Sequence, residues 1–206
     1  MSDPNLPLTV VKVGGSLFDL PQLGDGLRRW LAEQEPGRTL FLPGGGPLAN
    51  VIRQYHHTHQ LDEEHSHWLA IRTMHVNAGL LQALLGDVPV IRHPGVMTTP
   101  TAILDASEFC LADEGSDDAL PHSWRVTSDA IAARVAWVGN ARRLVMLKSV
   151  TLQPPFDWRT AAEKGAVDHA FGALVTAERF EVAWVNFREW VQVDISNTPG
   201  EIRRVF

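Results

Sequence analysis

The sequence is poor in cysteine, tyrosine and net positive charge, and it contains no long apolar run. Its 206 residues hold a single cysteine, Cys110, so no intrachain disulfide can form, which fits a reducing compartment. No apolar run approaches the ~18 residues of a membrane span. The opening residues MSDPNLPL also lack the basic start and apolar core of a secretory signal. A cytoplasmic protein with no membrane contact is therefore expected. The formal net charge of -6 argues against a nucleic-acid coat. What remains is ordinary for a globular chain, with 45% hydrophobic and 20% charged residues. The length suits one domain, residues 1–206, with a sizeable core.

Apolar strands and helical stretches alternate along the chain. Leu8–Val13, LTVVKV, is short and β-branched and runs into Gly14 and Gly15, which predicts a buried strand. Leu23–Glu33 places Leu23, Leu27, Trp30 and Leu31 on one side of a helix. Thr39–Leu42 predicts a second strand, and Pro47 suits the first turn of a helix reaching about His57. Asp62–Leu85 carries Ile71, Met74, Ala78, Leu81 and Leu85 at helical spacing, stopped by Gly86. VPVIR predicts a third strand, whereas residues 94–123 have no clear periodicity. Ser128–Val138 predicts a helix, Arg143–Lys148 a strand, Ala161–Ala170 a helix, Phe180–Asn186 a strand, and Glu201–Phe206 a last strand. Such alternation implies a mostly parallel sheet covered on both faces, with ligands at the carboxyl ends of its strands.

Glycines gather at two of those ends. In LFLPGGGPLANVIR, Gly44, Gly45 and Gly46 stand between a strand and a helix. The spacing of Gly44, Gly46 and Ala49 matches a dinucleotide fingerprint, but the acidic residue expected at the end of the next strand is missing. No Lys-Ser/Thr follows, which excludes a Walker loop. Two readings stay open: a tight turn with no ligand, or backbone N–H groups that hold an anion at a helix start. KVGGS repeats the theme, with Lys12 late in an apolar strand before Gly14, Gly15 and Ser16. Lys12 either snorkels to water or reaches a ligand at the sheet edge. In VTSDAIAARVA, Thr127 and Ser128 are N-cap candidates and Asp129 falls in the first turn. Lys148 closes the strand RLVMLK as Lys12 nearly closes its own. Two glycine sites, two strand-end lysines and one acid at a helix start together describe phosphoryl transfer. That reaction needs positioning and positive charge more than covalent help.

In this order KVGGS, LPGGGPLAN, VTSDAIAARVA and LVMLKSV resemble the motifs of the amino acid kinase superfamily, which includes acetylglutamate, aspartate, glutamate and uridylate kinases. HWLAIRTM and LPHSWRVTSDAIA are most similar to its methanofuran-biosynthesis branch, kinases of an aminomethylfuran-methyl phosphate. The resemblance implies an α/β fold, a three-layer αβα sandwich around a mostly parallel sheet of about eight strands. It implies an acceptor-side half near residues 1–110 and a nucleotide-side half near 120–206, with ATP, magnesium carried on the nucleotide, and a small anionic acceptor as ligands. Dimerisation is a further family expectation. Lys12, Asp129 and Lys148 take the catalytic roles: Lys12 stabilises the migrating phosphoryl group and Asp129 organises the lysines. Gly14, Gly15, Ser16, Gly44, Gly45 and Gly46 hold phosphoryl and acceptor oxygens, while Thr127, Ser128 and Lys148 face the nucleotide. A non-catalytic nucleotide- or oxyanion-binding protein on the same fold is the alternative.

The chain departs from the family pattern after Lys148, where KSVTLQPPFDW replaces the TDVDG of many relatives, and at Gly200-Glu201, where Gly-Thr is common. Six of the nine histidines lie between His56 and His75. The spacing of His65 and His67 faces them apart on a helix, so a solvated helix start is expected there rather than a zinc site. In the furan-kinase reading His67 and Arg72 flank the acceptor pocket. Trp68 and Trp124 are open to two roles, stacking on a planar acceptor or packing in the core. The acidic stretch Asp113–Asp118 is expected to be an exposed loop.

Overall fold

Six apolar segments pair side by side into one sheet in the computed structural model, which describes residues 6–152, 157–175 and 179–193. They are β1 (Leu8–Val13), β2 (Arg38–Pro43), β3 (Val90–Ile91), β4 (Thr101–Leu104), β5 (Arg143–Lys148) and β6 (Glu181–Asn186). The order across the sheet is β3-β4-β2-β1-β5-β6, and every pairing is parallel. The expected count of about eight strands is corrected to six among the described residues. The strand expected at Glu201–Phe206 lies outside them.

Helices cover both faces, as the continuous apolar runs of the strands require. On one face Val10, Leu40, Leu144 and Met146 meet α4 (Ala106–Asp113), α5 (Ser128–Val138), α6 (Trp158–Glu163) and α7 (His169–Val175). On the other, Val11, Phe41, Val145 and Leu147 meet α1 (Leu23–Ala32) and α8 (Phe187–Val193). α3 (Glu63–Leu85) contributes to both cores, Ile71 and Met74 to the first, Ala78 and Leu81 to the second. α2 (Gly46–His59) buries none of its residues and lies against α3 at the rim.

The structure departs from the sequence expectations at several points. Residues 94–123 hold β4 and α4, which escape periodicity analysis because strand and helix are short and joined through Asp105. The single helix expected at Ala161–Ala170 is two, α6 and α7, parted at Gly165, whose φ of 69° suits glycine. The acidic stretch Asp113–Asp118 is not merely solvated. Asp113 takes Arg134 Nε at 2.8 Å and Nη2 at 2.9 Å in a two-pronged pair, and the arginine side chain is only 6% exposed. Among the described residues no helix is long and apolar enough to cross a membrane.

The strand order reverses direction at β1, with β2 on one side and β5, reached much later in the chain, on the other. Ligand crevices in open parallel sheets form outside such a switch point. Leu144 is fully buried at the centre of this seam. Leu144→Ala is expected to lower the unfolding free energy by about 2–5 kcal/mol, read as a drop in the urea midpoint at unchanged slope. A loss well under about 1 kcal/mol would mean that the seam collapses to fill the space.

Candidate active site

Lys12, next to last in β1, and Lys148, last in β5, lie on neighbouring strands at the switch point, with Lys12 paired to Met146 in register. Asp129, in the first turn of α5, sits between them. Its Oδ1 is 2.7 Å from Lys12 Nζ, and its Oδ2 accepts a 2.7 Å hydrogen bond from Lys148 Nζ. The Lys12 contact is a close ion pair with off-line angles, because Oδ1 has no well-aligned donor. Burial pushes the Asp129 carboxyl up, but Lys12 and then Lys148 outweigh it and hold it below the usual range. Burial, followed by the Lys12 charge, lowers Lys148 to about 8 against the pull of Asp129. Lys148 also donates to the Ala166 carbonyl at 2.7 Å and lies 5.2 Å above the Trp184 ring. Two cations sharing one anion leave a net positive site at the carboxyl edge of the sheet.

The glycines stand where two loops touch. A Cβ on Gly15 would lie 2.3 Å from the Gly46 nitrogen, and one on Gly46 would lie 2.5 Å from the Gly15 carbonyl oxygen. Neither loop therefore tolerates a side chain at this contact. Gly14 N–H donates to Leu147 O and Gly44 N–H to Val13 O, both at 2.8 Å, so these two N–H groups extend the sheet rather than face a ligand. Gly45 lies in the right-handed helical region and Gly46 at φ 58°. This alternation turns successive N–H groups to one side, as in anion-binding nests. Asn77 of α3 fixes the loop from behind, donating to Gly44 O at 2.7 Å and Gly45 O at 3.0 Å. With the carbonyls held toward α3, the start of α2 has the geometry of an anion-binding nest.

The start of α5 is built differently. Thr127 is its N-cap, and the Asp168 carboxylate lies across it. Asp168 Oδ2 accepts from Thr127 N and Thr127 Oγ1 at 2.8 Å and from Ala130 N at 3.0 Å, while Oδ1 accepts from Phe171 N at 2.9 Å. Burial pushes the Asp168 carboxyl up, against these donors. A protein carboxylate thus occupies this helix start, whereas no side chain caps the start of α2.

A cavity of about 380 Å³ opens beside the glycine loops. One stripe of α2, Gly46, Ala49, Asn50 and Arg53, forms one wall. Ile71, Met74, Val126 and Ile131 give an apolar floor, and Gly15, Ser16 and Asp19 complete the rim. Thr127 and Ser128 line this same cavity, together with Gly45 and Gly46, whereas Lys148 is not part of its lining. Trp124 lines it with Arg53 stacked 4.9 Å from its ring, while Trp68 packs against the core. His67 lines the cavity and stacks on His122 with ring centroids 5.7 Å apart. Its pKa is lowered, by burial first and then by His122. Arg72 of α3 is exposed and is not among the lining residues.

Asn77, Asp168, Trp184 and Arg53 were not singled out in the sequence. A lone asparagine or aspartate in a helical or loop context carries no periodic signal, and each acts only through partners far away in the chain. Among the described residues no three His, Cys, Asp or Glu side chains gather as a metal site. Asp129 is engaged by two lysines and Asp168 by four donors, so neither offers a carboxylate for magnesium. Such a donor set suits magnesium borne on phosphates, where it keeps most of its waters. Burial, and then Asp113, push the Cys110 thiol up to about 12, which leaves it unreactive.

The fold is that of the UMP kinases. UMP kinase from Ureaplasma parvum superposes with a TM-score of 0.61 at 12% identity, over 95% of this chain and 97% of that one. UMP kinase from Bacillus anthracis gives 0.60 at 13%, over 92% and 91%. Uridylate kinase from Archaeoglobus fulgidus gives 0.58 at 14%, over 84% and 88%. In sequence, the chain is similar to the (5-(aminomethyl)furan-3-yl)methyl phosphate kinase of Methanocaldococcus jannaschii, 29% identical over 147 residues. That match spans 68% of this chain and 65% of the relative's length. No protein-family model matches the chain.

The buried triad makes a stability prediction. Asp129→Ala leaves two adjacent, largely buried ammonium groups with no carboxylate between them. It is expected to cost about 3–5 kcal/mol in chemical denaturation. A cost below about 1 kcal/mol would mean that the lysines reach water, or that Lys148 sheds its proton, once the carboxylate is gone.

Proposed function

We propose that this protein is an ATP-dependent kinase that transfers the γ-phosphoryl group to a small anionic acceptor, with a furan-methyl phosphate as the specific candidate. The observation that carries the reading is the Lys12–Asp129–Lys148 cluster at the switch point, beside a glycine nest and a cavity. In this reading the acceptor lies in the cavity, with its anionic group at the nest formed by Gly45 and Gly46. ATP approaches from the Lys148 side, over the ends of β5 and β6. An acceptor oxygen attacks the γ-phosphorus in line, the bond to the bridging oxygen of the β-phosphate breaks, and ADP leaves with that electron pair. A phosphate or carboxylate acceptor is already ionised, so the step needs no general base. Lys12 neutralises charge on the migrating group, Lys148 holds the nucleotide phosphates, and Asp129 keeps both ammonium groups in place. Magnesium, carried by the nucleotide, supplies further charge neutralisation when bound. Thr127 and Ser128 belong to the acceptor cavity in this reading rather than to the nucleotide.

The test is ADP formation with magnesium-ATP and candidate acceptors, among them furan-methyl phosphate. Lys12→Met is expected to lower kcat by about 10²–10³-fold in folded protein. Unchanged turnover in that variant would remove Lys12 from the mechanism. A fold that binds nucleotide but forms no ADP with any acceptor would instead mark a binding protein.

The lysine titration adds a pH prediction. Below about 8 Lys148 is charged and holds phosphate, and above it the charge is lost. The kcat/KM for ATP, which reports the free enzyme, is therefore expected to fall as pH rises through about 8. Lys148→Arg keeps its charge and is expected to abolish that limb, whatever its effect on the plateau.

A further inference from the structure

We infer that Asp19 is the ammonium-recognition residue of the cavity, selecting an acceptor that carries a positively charged amine as well as its anionic group. This rests on the kinase reading for the identity of the acceptor site, but not for its chemistry. Asp19 is the one carboxylate among the described lining residues of the cavity. It ends the 3-10 turn Gly15–Asp19, which begins at the loop contact described above. Arg188 of α8 holds that turn, donating from Nη2 to the Ser16 carbonyl at 2.7 Å and to Asp19 Oδ1. Only Oδ1 is used in this way; Oδ2 accepts no hydrogen bond among the described residues. The carboxylate is thus fixed in direction by one oxygen and open on the other.

The remaining wall excludes other places for an ammonium. Arg53 is the opposing charge, and it makes no ion pair with Asp19; it lies instead over Trp124. A guanidinium there repels an ammonium and leaves an anionic or π-rich group as its partner. His67 has its pKa lowered and sits apart from Asp19 on α3. The apolar floor of Ile71, Met74, Val126 and Ile131 suits the body of a small ring. An acceptor with an anion at one end and an amine at the other therefore binds in one orientation, anion to the nest and amine to Asp19. Neutral analogues lose one of the two anchors.

The experiment is calorimetric titration, without nucleotide, of (5-(aminomethyl)furan-3-yl)methyl phosphate and of the same compound with hydroxymethyl in place of aminomethyl. Wild type is expected to bind the amine more tightly. Asp19→Asn is expected to bind the amine about tenfold more weakly and the alcohol within about twofold of wild type, as loss of one charge-assisted hydrogen bond predicts. Equal losses for both compounds would show that Asp19 only braces the turn, and no loss for the amine would overturn the proposal outright. Absence of binding by either compound to wild type would also overturn it. The kinase reading fails separately, through absence of ADP when ATP is supplied, because the binding comparison needs no turnover.

Discussion

A single carboxylate between two ammonium groups sets the terms for the rest of the structure. Two lysines cannot be brought together at the end of a sheet, largely out of water, unless an anion accompanies them. Asp129 is that anion, and it must come from outside the sheet, since β1 and β5 already meet edge to edge. The first turn of α5 supplies it. This in turn requires α5 to begin at one place only, and Asp168, arriving from the loop before α7, secures that beginning through Thr127 and Ala130. The charge arrangement thus reaches back through three elements distant in sequence.

The glycines serve geometry before chemistry. The contact of Gly15 with Gly46 leaves no room for a Cβ on either loop, so the turn-only reading and the anion reading of these residues are not rivals. Close backbone approach fixes the nest, and the nest then faces the cavity. Division of labour follows among the N–H groups. Those of Gly14 and Gly44 continue the sheet, while the start of α2 has no side-chain cap, and the start of α5 is closed by a protein carboxylate.

Much of this was legible in the residues. β1, β5, α3 and α5 stand where apolar periodicity and caps put them, because long buried elements must repeat the spacing of the face they bury. Lys12, Asp129 and Lys148 stood out because charged groups at the ends of apolar runs are conspicuous. Other features leave little local trace. β4 and α4 are too short to show a period, and Gly165 divides a helical stretch by a backbone angle that composition does not reveal. Asp113 read as solvated until Arg134, 21 residues later, came to lie against it. Asn77 and Asp168 were silent for the same reason: their roles are defined by carbonyls and amides of other segments, and the one-dimensional pattern records only their own neighbours.

α3 crosses from one hydrophobic core to the other, with Ile71 and Met74 on one side, Ala78 and Leu81 on the other, and Asn77 between them holding the glycine loop. The loop is thereby fastened to a helix that packs in both cores. Glycine-rich segments at binding sites usually belong to the least protected part of a protein, opening at small cost while the core stays intact. Here the carbonyl side of the loop opens only if the two Asn77 hydrogen bonds break. The Gly44 amide, bonded to Val13 O, is therefore expected to exchange as slowly as the strands beside it, whereas the Gly45 amide, at the uncapped start of α2, is not.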